Sequence, residues 1–222
     1  MSFYRRIKYF LVHTLMLSNK EAQSLIESGQ LSLDGEIIRE NFFLKDEQEI
    51  RRNGELLRTG KKNIYLKFYK PSGFQSSLNK TVADNLSSFF KDYEGLAIAG
   101  RLDKASEGLL LLSNDGKWVE ELCNPNFEKE KEYEVILNKK PDATFLNDFS
   151  KGVKIGAYIT KACFCELKEG NTIGVILKEG KNRQIRKMCK TLGYEVLSLK
   201  RLRIGDQLLD NLKSGEIELI KI

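Results

Sequence analysis

Apolar positions change their spacing along this 222-residue chain, and each change marks an element. In SNKEAQSLIESG, residues 18–29, the apolar positions Ala22, Leu25 and Ile26 share one helix face. Ser18 and Glu21 make a capping box, Leu17 can staple onto Ala22, and Gly29 is placed to end the helix. The basic stretch RRIKYFL predicts a further helix in front of it. In LSLDGEII, residues 31–38, two short strands flank Asp34-Gly35, a preferred type I′ turn pair. EIRRNGELL, residues 49–57, repeats that arrangement around Asn53-Gly54. The polar residues 59–62 read as a linker between a module at 1–58 and a larger domain at 63–222.

In the larger domain the period alternates between strand and helix without repeats. IYLKFY, residues 64–69, alternates apolar and polar, as a half-buried strand does. Lys70-Pro71-Ser72-Gly73 is a turn, and Thr81 with Asp84 at N3 predicts a helix reaching Phe90. A short strand at 95–99, a continuous apolar strand at 109–112, a helix at 117–123 and a strand at 131–137 follow. Then come a helix at 142–149, two or three strands within 153–178, a helix capped by Asn182 and ended by Gly193, and a strand at 194–204. Mixed strands with scattered helices make the fold class α+β rather than a doubly wound sheet.

Composition narrows the chemistry. No apolar run is long enough to span a membrane. The N-terminal MSFYRRIKYFLVHTLML starts basic and turns apolar, but charges and His13 interrupt it and no small-residue cleavage site follows. A cytoplasmic location is therefore expected. Cys123, Cys163, Cys165 and Cys189 match no zinc spacing and read as reduced thiols. His13 is the single histidine, so a catalytic site here runs on carboxylate, Tyr, Lys or Arg. Neither GxGxxG nor a P-loop is present, so nothing speaks for a nucleotide cofactor. The net charge of +6 is concentrated: residues 178–203 carry nine Lys or Arg against two Glu, a local +7. Interleaved with Asn182 and Gln184, that run suits a polyanion such as RNA, although a solvated helix face is the plainer account of any charge run.

GRLDKASEGLLLLSNDG, residues 100–116, sets a charged turn directly against a buried strand. A turn entering such a strand is held by the core beneath it, and so can aim one carboxylate, Asp103. Beside apolar packing that carboxylate needs a cation to stay ionised, and Arg101, Arg183, Arg186 and Lys187 are candidates. On pattern alone, Asp103 could equally be a turn cap and Arg101 a solvated charge.

The same stretch resembles the GRLD…GLLLLTNDG signature of pseudouridine synthases of the RsuA/RluB/RluE/RluF type. The resemblance continues in order through KPSGFQSS, KEYEV, EGKNRQIRKMCKTLGYEVLSLKRLRIGD and LKSGE, across residues 63–220. Departures are Ser113 where Thr is common, and Ile217-Glu218 after Gly215-Glu216. RRIKYFL, SNKEAQSLIESG, LSLDGEII and DEQEIRRNG resemble an S4-like RNA-binding domain, with Ser18-Asn19 in place of the familiar Ser-Arg. The resemblance implies a small S4-like module followed by a catalytic domain built on a mixed, mainly antiparallel sheet. It implies isomerisation of uridine to pseudouridine in ribosomal RNA or a pre-ribosomal particle, tRNA being a second candidate, without cofactor or metal. A monomer is expected, because RNA supplies the contacts. It implies Asp103 as the catalytic carboxylate, Tyr133 packing on the base, and Arg186 paired with Asp103. Arg101, Arg183, Gln184 and Lys187 become RNA or pocket contacts, and Arg5, Arg6, Lys8, Lys20 and Arg39 contacts from the N-terminal module.

Two other readings remain at this point. One is a noncatalytic RNA-binding assembly factor that keeps the synthase fold. The other is a glycoside hydrolase on free nucleosides, which would need paired carboxylates such as Glu107 and Asp115.

Overall fold

The computed structural model describes residues 6–220. The chain divides into two compact units, Met1–Asn63 and Ile64–Ile222.

The first unit carries α1 (Ile7–Thr14), α2 (Asn19–Glu27), β1 (Leu31–Leu33), β2 (Glu36–Ile38), β3 (Ile50–Arg52) and β4 (Glu55–Arg58). The capping box forms as the spacing predicts: Ser18 Oγ accepts from Glu21 N–H at 3.2 Å, and Glu21 accepts from Ser18 N–H at 2.8 Å. The strands pair in the order β2-β1-β3-β4, all antiparallel. At the first hairpin Asp34 and Gly35 take φ of 52° and 90°, and at the second Asn53 and Gly54 take 48° and 88°, as a type I′ turn requires. Ile7, Leu11, Ala22, Leu25 and Ile26 close the helices over Leu31, Ile38 and Ile50. Residues 59–62 lie against this unit rather than free of it: Lys61 N–H bonds Asp46 O, and a Cβ at Gly60 would lie 1.8 Å from Glu47 O.

The second unit holds β5 (Tyr65–Lys70), β6 (Ala97–Ala99), β7 (Glu107–Ser113), α3 (Gly116–Cys123), β8 (Lys131–Leu137), α4 (Ala143–Lys151), β9 (Lys154–Ile155), β10 (Tyr158–Ile159), β11 (Phe164–Leu167), β12 (Thr172–Leu177), α5 (Gln184–Thr191), β13 (Val196–Ile204), β14 (Gln207–Leu208) and β15 (Ile217–Leu219). Its main sheet runs β11-β12-β8-β13-β7-β5-β15, with β6 added on β7 and β14 on β13. Among the described residues, β7–β13 is the parallel pair and every other pair is antiparallel. The unit is therefore α+β with a mixed, mainly antiparallel sheet.

Both faces of the sheet are covered. On one, Leu66, Phe68, Leu110 and Leu112 pack on Leu86 and Phe90, and further along Val135, Leu137, Ile173 and Val175 pack on Phe145, Phe149, Ile185 and Met188. On the other, Tyr69, Leu109 and Leu111 pack on Trp118 and Leu122. This explains the unbroken apolar run of β7.

Three local expectations are corrected. β5 is not half-exposed: its two lysines are buried, Lys67 satisfied by Asp210 at 2.9 Å and Glu218 at 3.1 Å. The helix from Thr81 reduces to a 3₁₀ turn, Ser87–Phe90. There Thr81 bonds Asn79 Oδ1 instead of capping, and Asp84 has a left-handed φ of 48° that no helix interior accepts. The N-cap position of the last helix is Arg183, not Asn182; Arg183 takes φ 52°, and Asn182 Oδ1 faces Lys187 Nζ at 3.4 Å.

Candidate active site

A cleft of about 680 Å³ opens in the second unit. Its elements are the turn before β7, strands β8 and β13, and the start of α5. Asp103, Tyr133, Arg101, Arg183, Gln184 and Arg186 all line it. Lys187 is exposed on α5 and does not line it.

The register explains how distant residues meet. Lys70 on β5 lies opposite Gly108 on β7, Gly108 beside Arg201 on β13, and Arg201 opposite Tyr133 on β8. Paired residues project to the same face, so this row presents Lys70, Arg201 and Tyr133 together. Glycine at 108 is required: its φ is 104°, and a Cβ there would lie 2.3 Å from Arg201 O.

The turn 101–106 is tied down carbonyl by carbonyl. Arg201 Nη1 reaches Arg101 O at 3.4 Å, and Ser76 Oγ donates to Leu102 O at 2.7 Å. Ser106 N–H bonds Asp103 O and Gly73 N–H bonds Lys104 O. Arg186 Nη2 donates to Ala105 O at 2.8 Å, and Lys70 Nζ to Ser106 O at 2.7 Å. Thus three cations from β5, α5 and β13 hold the backbone around one carboxylate.

The carboxylate of Asp103 is about a quarter exposed, and its ion pair among the described residues is with Arg183, Nη1 to Oδ2 at 3.9 Å. The resemblance led to Arg186 as that partner. Instead, the Arg186 guanidinium is drawn into the carbonyls of Ala105 and Val196, and it acts on the loop rather than on the carboxylate directly. Burial and the nearby Arg183 lower the pKa of Arg186, while the charge of Asp103 opposes them. Burial lowers Lys70 to about 8; Arg201 adds to the shift, while Glu107 and Asp103 oppose it. Tyr133 is buried with its ring in the cleft wall.

Gln184 is also buried, but its amide is committed to protein: Nε2 donates to Glu179 at 2.6 Å and Oε1 accepts from Lys181 N–H. In the first unit Arg6 donates to Asn41 O and lies over Phe43, Lys8 bonds Gln23, Arg39 bonds Glu27 O, and Lys20 is exposed. Arg5 lies outside the described residues. Glu107 and Asp115, the alternative carboxylates, are engaged by Tyr69 and Tyr65. The linear motifs do not single out Ser76, Lys70 and Arg201, which hold the turn, or Lys131, which lines the cleft. A basic residue inside an apolar strand, as in LSLKRLRIG, was the available signal for Arg201.

The RNA pseudouridylate synthase family model matches residues 64–191, more than half of the chain. This chain belongs to that family. An uncharacterized RNA pseudouridine synthase of Aquifex aeolicus is 32% identical, over 95% of this chain and 90% of the relative. The dual-specificity RNA pseudouridine synthase RluF of Escherichia coli K12 is also 32% identical, over 95% of this chain and 73% of the relative. A crystal structure of a pseudouridylate synthase superposes with a TM-score of 0.69 at 28% identity, over 98% of this chain and 96% of that one. The chain is an RNA pseudouridine synthase, an isomerase acting at specific sites in RNA.

Proposed function

We propose that this pseudouridine synthase acts on ribosomal RNA with Asp103 as its essential carboxylate. One observation carries the reading. Asp103 is the carboxylate on a turn whose carbonyls are each hydrogen-bonded, and it faces a cleft walled by Arg101, Arg183, Arg186 and Arg201. Glu179, the other acidic residue of the lining, is bonded to Gln184. A single aimed carboxylate among cations suits a polyanionic substrate and does not suit the paired acids of a hydrolase.

The target uridine leaves its stack to enter the cleft. Its bond from base N1 to ribose C1′ breaks and a bond from C5 to C1′ forms; C5 loses its proton and N1 gains one, so product and substrate are isomers. Asp103 acts at the sugar, and Arg183 holds its charge. The Tyr133 ring packs on the base, and such stacking contributes about 1–3 kcal/mol. Arg186 fixes the turn through Ala105. Arg101 at the rim contacts the phosphate backbone. Residues 1–58 act as an S4-like RNA-binding module, its hairpins and capped helix supporting that assignment, with Arg6, Lys8, Lys20 and Arg39 on phosphates. The enzyme works in the cytoplasm as a monomer.

The test is a nucleotide-resolution pseudouridine map of ribosomal RNA and tRNA from cells lacking the gene. The map is repeated after restoring wild type or Asp103→Asn. One ribosomal site should vanish and return with wild type alone, while purified Asp103→Asn keeps its RNA affinity. Loss of a tRNA site alone would move the substrate to tRNA. Restoration by Asp103→Asn would remove Asp103 from the mechanism.

A further inference from the structure

We propose that Ser76 is the positioning residue for Asp103. Its hydroxyl holds both backbone polar atoms of Leu102, and so fixes the direction in which the next residue leaves the chain. The inference rests on the reading of Asp103 as the essential carboxylate.

A serine hydroxyl can donate and accept at once. Here it does both toward one residue: Leu102 N–H donates to Ser76 Oγ at 2.9 Å, and Ser76 Oγ donates to Leu102 O at 2.7 Å. The Leu102 side chain is buried against the core of β8, β12 and α5, so this residue is clamped through side chain and backbone together. On the far side of Asp103, Lys104 is held by the same segment. Gly73 N–H bonds its carbonyl at 2.8 Å, and Asp84 pairs with its ammonium at 2.6 Å. The KPSGFQSS segment therefore grips the residues before and after Asp103 and leaves the carboxylate itself to Arg183 and the cleft.

The segment is rigid enough for this role. Gln75 N–H bonds Asp84 O and Leu86 N–H bonds Ser77 O, both at 2.7 Å, while Gln75 Nε2 bonds Ala83 O at 3.1 Å. These bonds close 75–86 into a tied loop. They also account for the left-handed Asp84, whose carbonyl receives Gln75 and whose carboxylate receives Lys104.

Ser76 is half-buried at the cleft. Removing the hydroxyl lets water take over the Leu102 N–H and C=O, so the fold survives. Water does not fix a direction, and a displacement of about 1 Å at a catalytic group can cost around 100-fold in rate. The loss belongs in kcat, because the aim of Asp103 matters to the chemical step and not to RNA docking.

The experiment uses the full chain and rRNA transcripts carrying tritium at uridine C5, which is released when C5 joins the ribose. Wild type, Ser76→Ala, Ser76→Thr and Asp103→Asn are compared well below the lowest melting temperature. The expected result for Ser76→Ala is kcat lower by about 10- to 100-fold with KM and RNA Kd within about twofold. Ser76→Thr, which keeps the hydroxyl, should recover most of the rate, and Asp103→Asn should release no tritium. A wild-type kcat in Ser76→Ala overturns the proposal, as does a loss that lies in KM or Kd, or a Ser76→Thr as slow as the alanine variant. If Asp103→Asn is inactive in those cases, only the role of Ser76 falls. Turnover by Asp103→Asn overturns both readings.

Discussion

Gly108 shows how one missing atom shapes this site. A Cβ there would meet the Arg201 backbone at 2.3 Å from its oxygen and 2.6 Å from its nitrogen. Neither strand can yield cheaply, because β13 is bonded to β8 and β7 to β5 on their other sides. Gly108→Ala should therefore cost at least about 2 kcal/mol in urea unfolding, and should also displace the guanidinium that reaches Arg101 O. Other residues were easier to read in advance. Asp103, Tyr133 and Arg183 were singled out from linear motifs, and the fold brings all three to one cleft. Arg186 was also singled out, but its contacts depend on where residue 105 lies in space, and no spacing encodes that. The neighbours of Arg201 and Lys70 are set by strand register across the sheet, and that of Ser76 by how the loop after β5 folds onto the Asp103 turn, and no linear motif encodes either.

At the scale of elements, hydrophobic period and capping residues carried far. The capped α2, the two I′ hairpins, β7, α3, β8 and α4 lie where their patterns place them. β5 does not behave as its alternation suggests, because a long apolar stem lets lysine enter a core if its head finds partners. Lys67 finds two carboxylates and Lys70 two carbonyls. Lys70 has a measurable consequence. Its folded pKa of about 8 lies below its ordinary value of 10.5. Below pH 8 both folded and unfolded chains hold the proton, and the folded chain bears the full cost of the buried charge. Between pH 8 and 10.5 the unfolded chain binds more protons, so this group makes stability rise with pH there. Denaturant titrations across that window should show this rise in wild type and its absence in Lys70→Met.

At the scale of the whole molecule, the basic run 178–203 divides in the fold. Arg201 is buried, Arg203 pairs with Glu130 and Glu132, and Arg186 serves the turn, whereas Lys187 and Lys190 stay exposed on one face of α5. If that face meets phosphate, Lys187→Gln with Lys190→Gln should lower the slope of log affinity against log salt by about 2. Filter binding over a range of salt measures it, and an unchanged slope would place RNA elsewhere. The side chains holding the turn also come from far along the chain. Ser76 lies 26 positions from Leu102, Arg186 lies 81 from Ala105, and Arg201 lies 100 from Arg101. Contacts this distant in sequence form late in folding, because long loops must close before they can be made. On a ribosome making this chain, the Asp103 turn emerges well before its arginines exist. Until β13 has been synthesised, the nascent chain carries its carboxylate on a loop that lacks one or more of Arg183, Arg186 and Arg201. Maturation of the active centre thus waits for the synthesis of β13, whose Arg201 follows Arg101 by 100 positions.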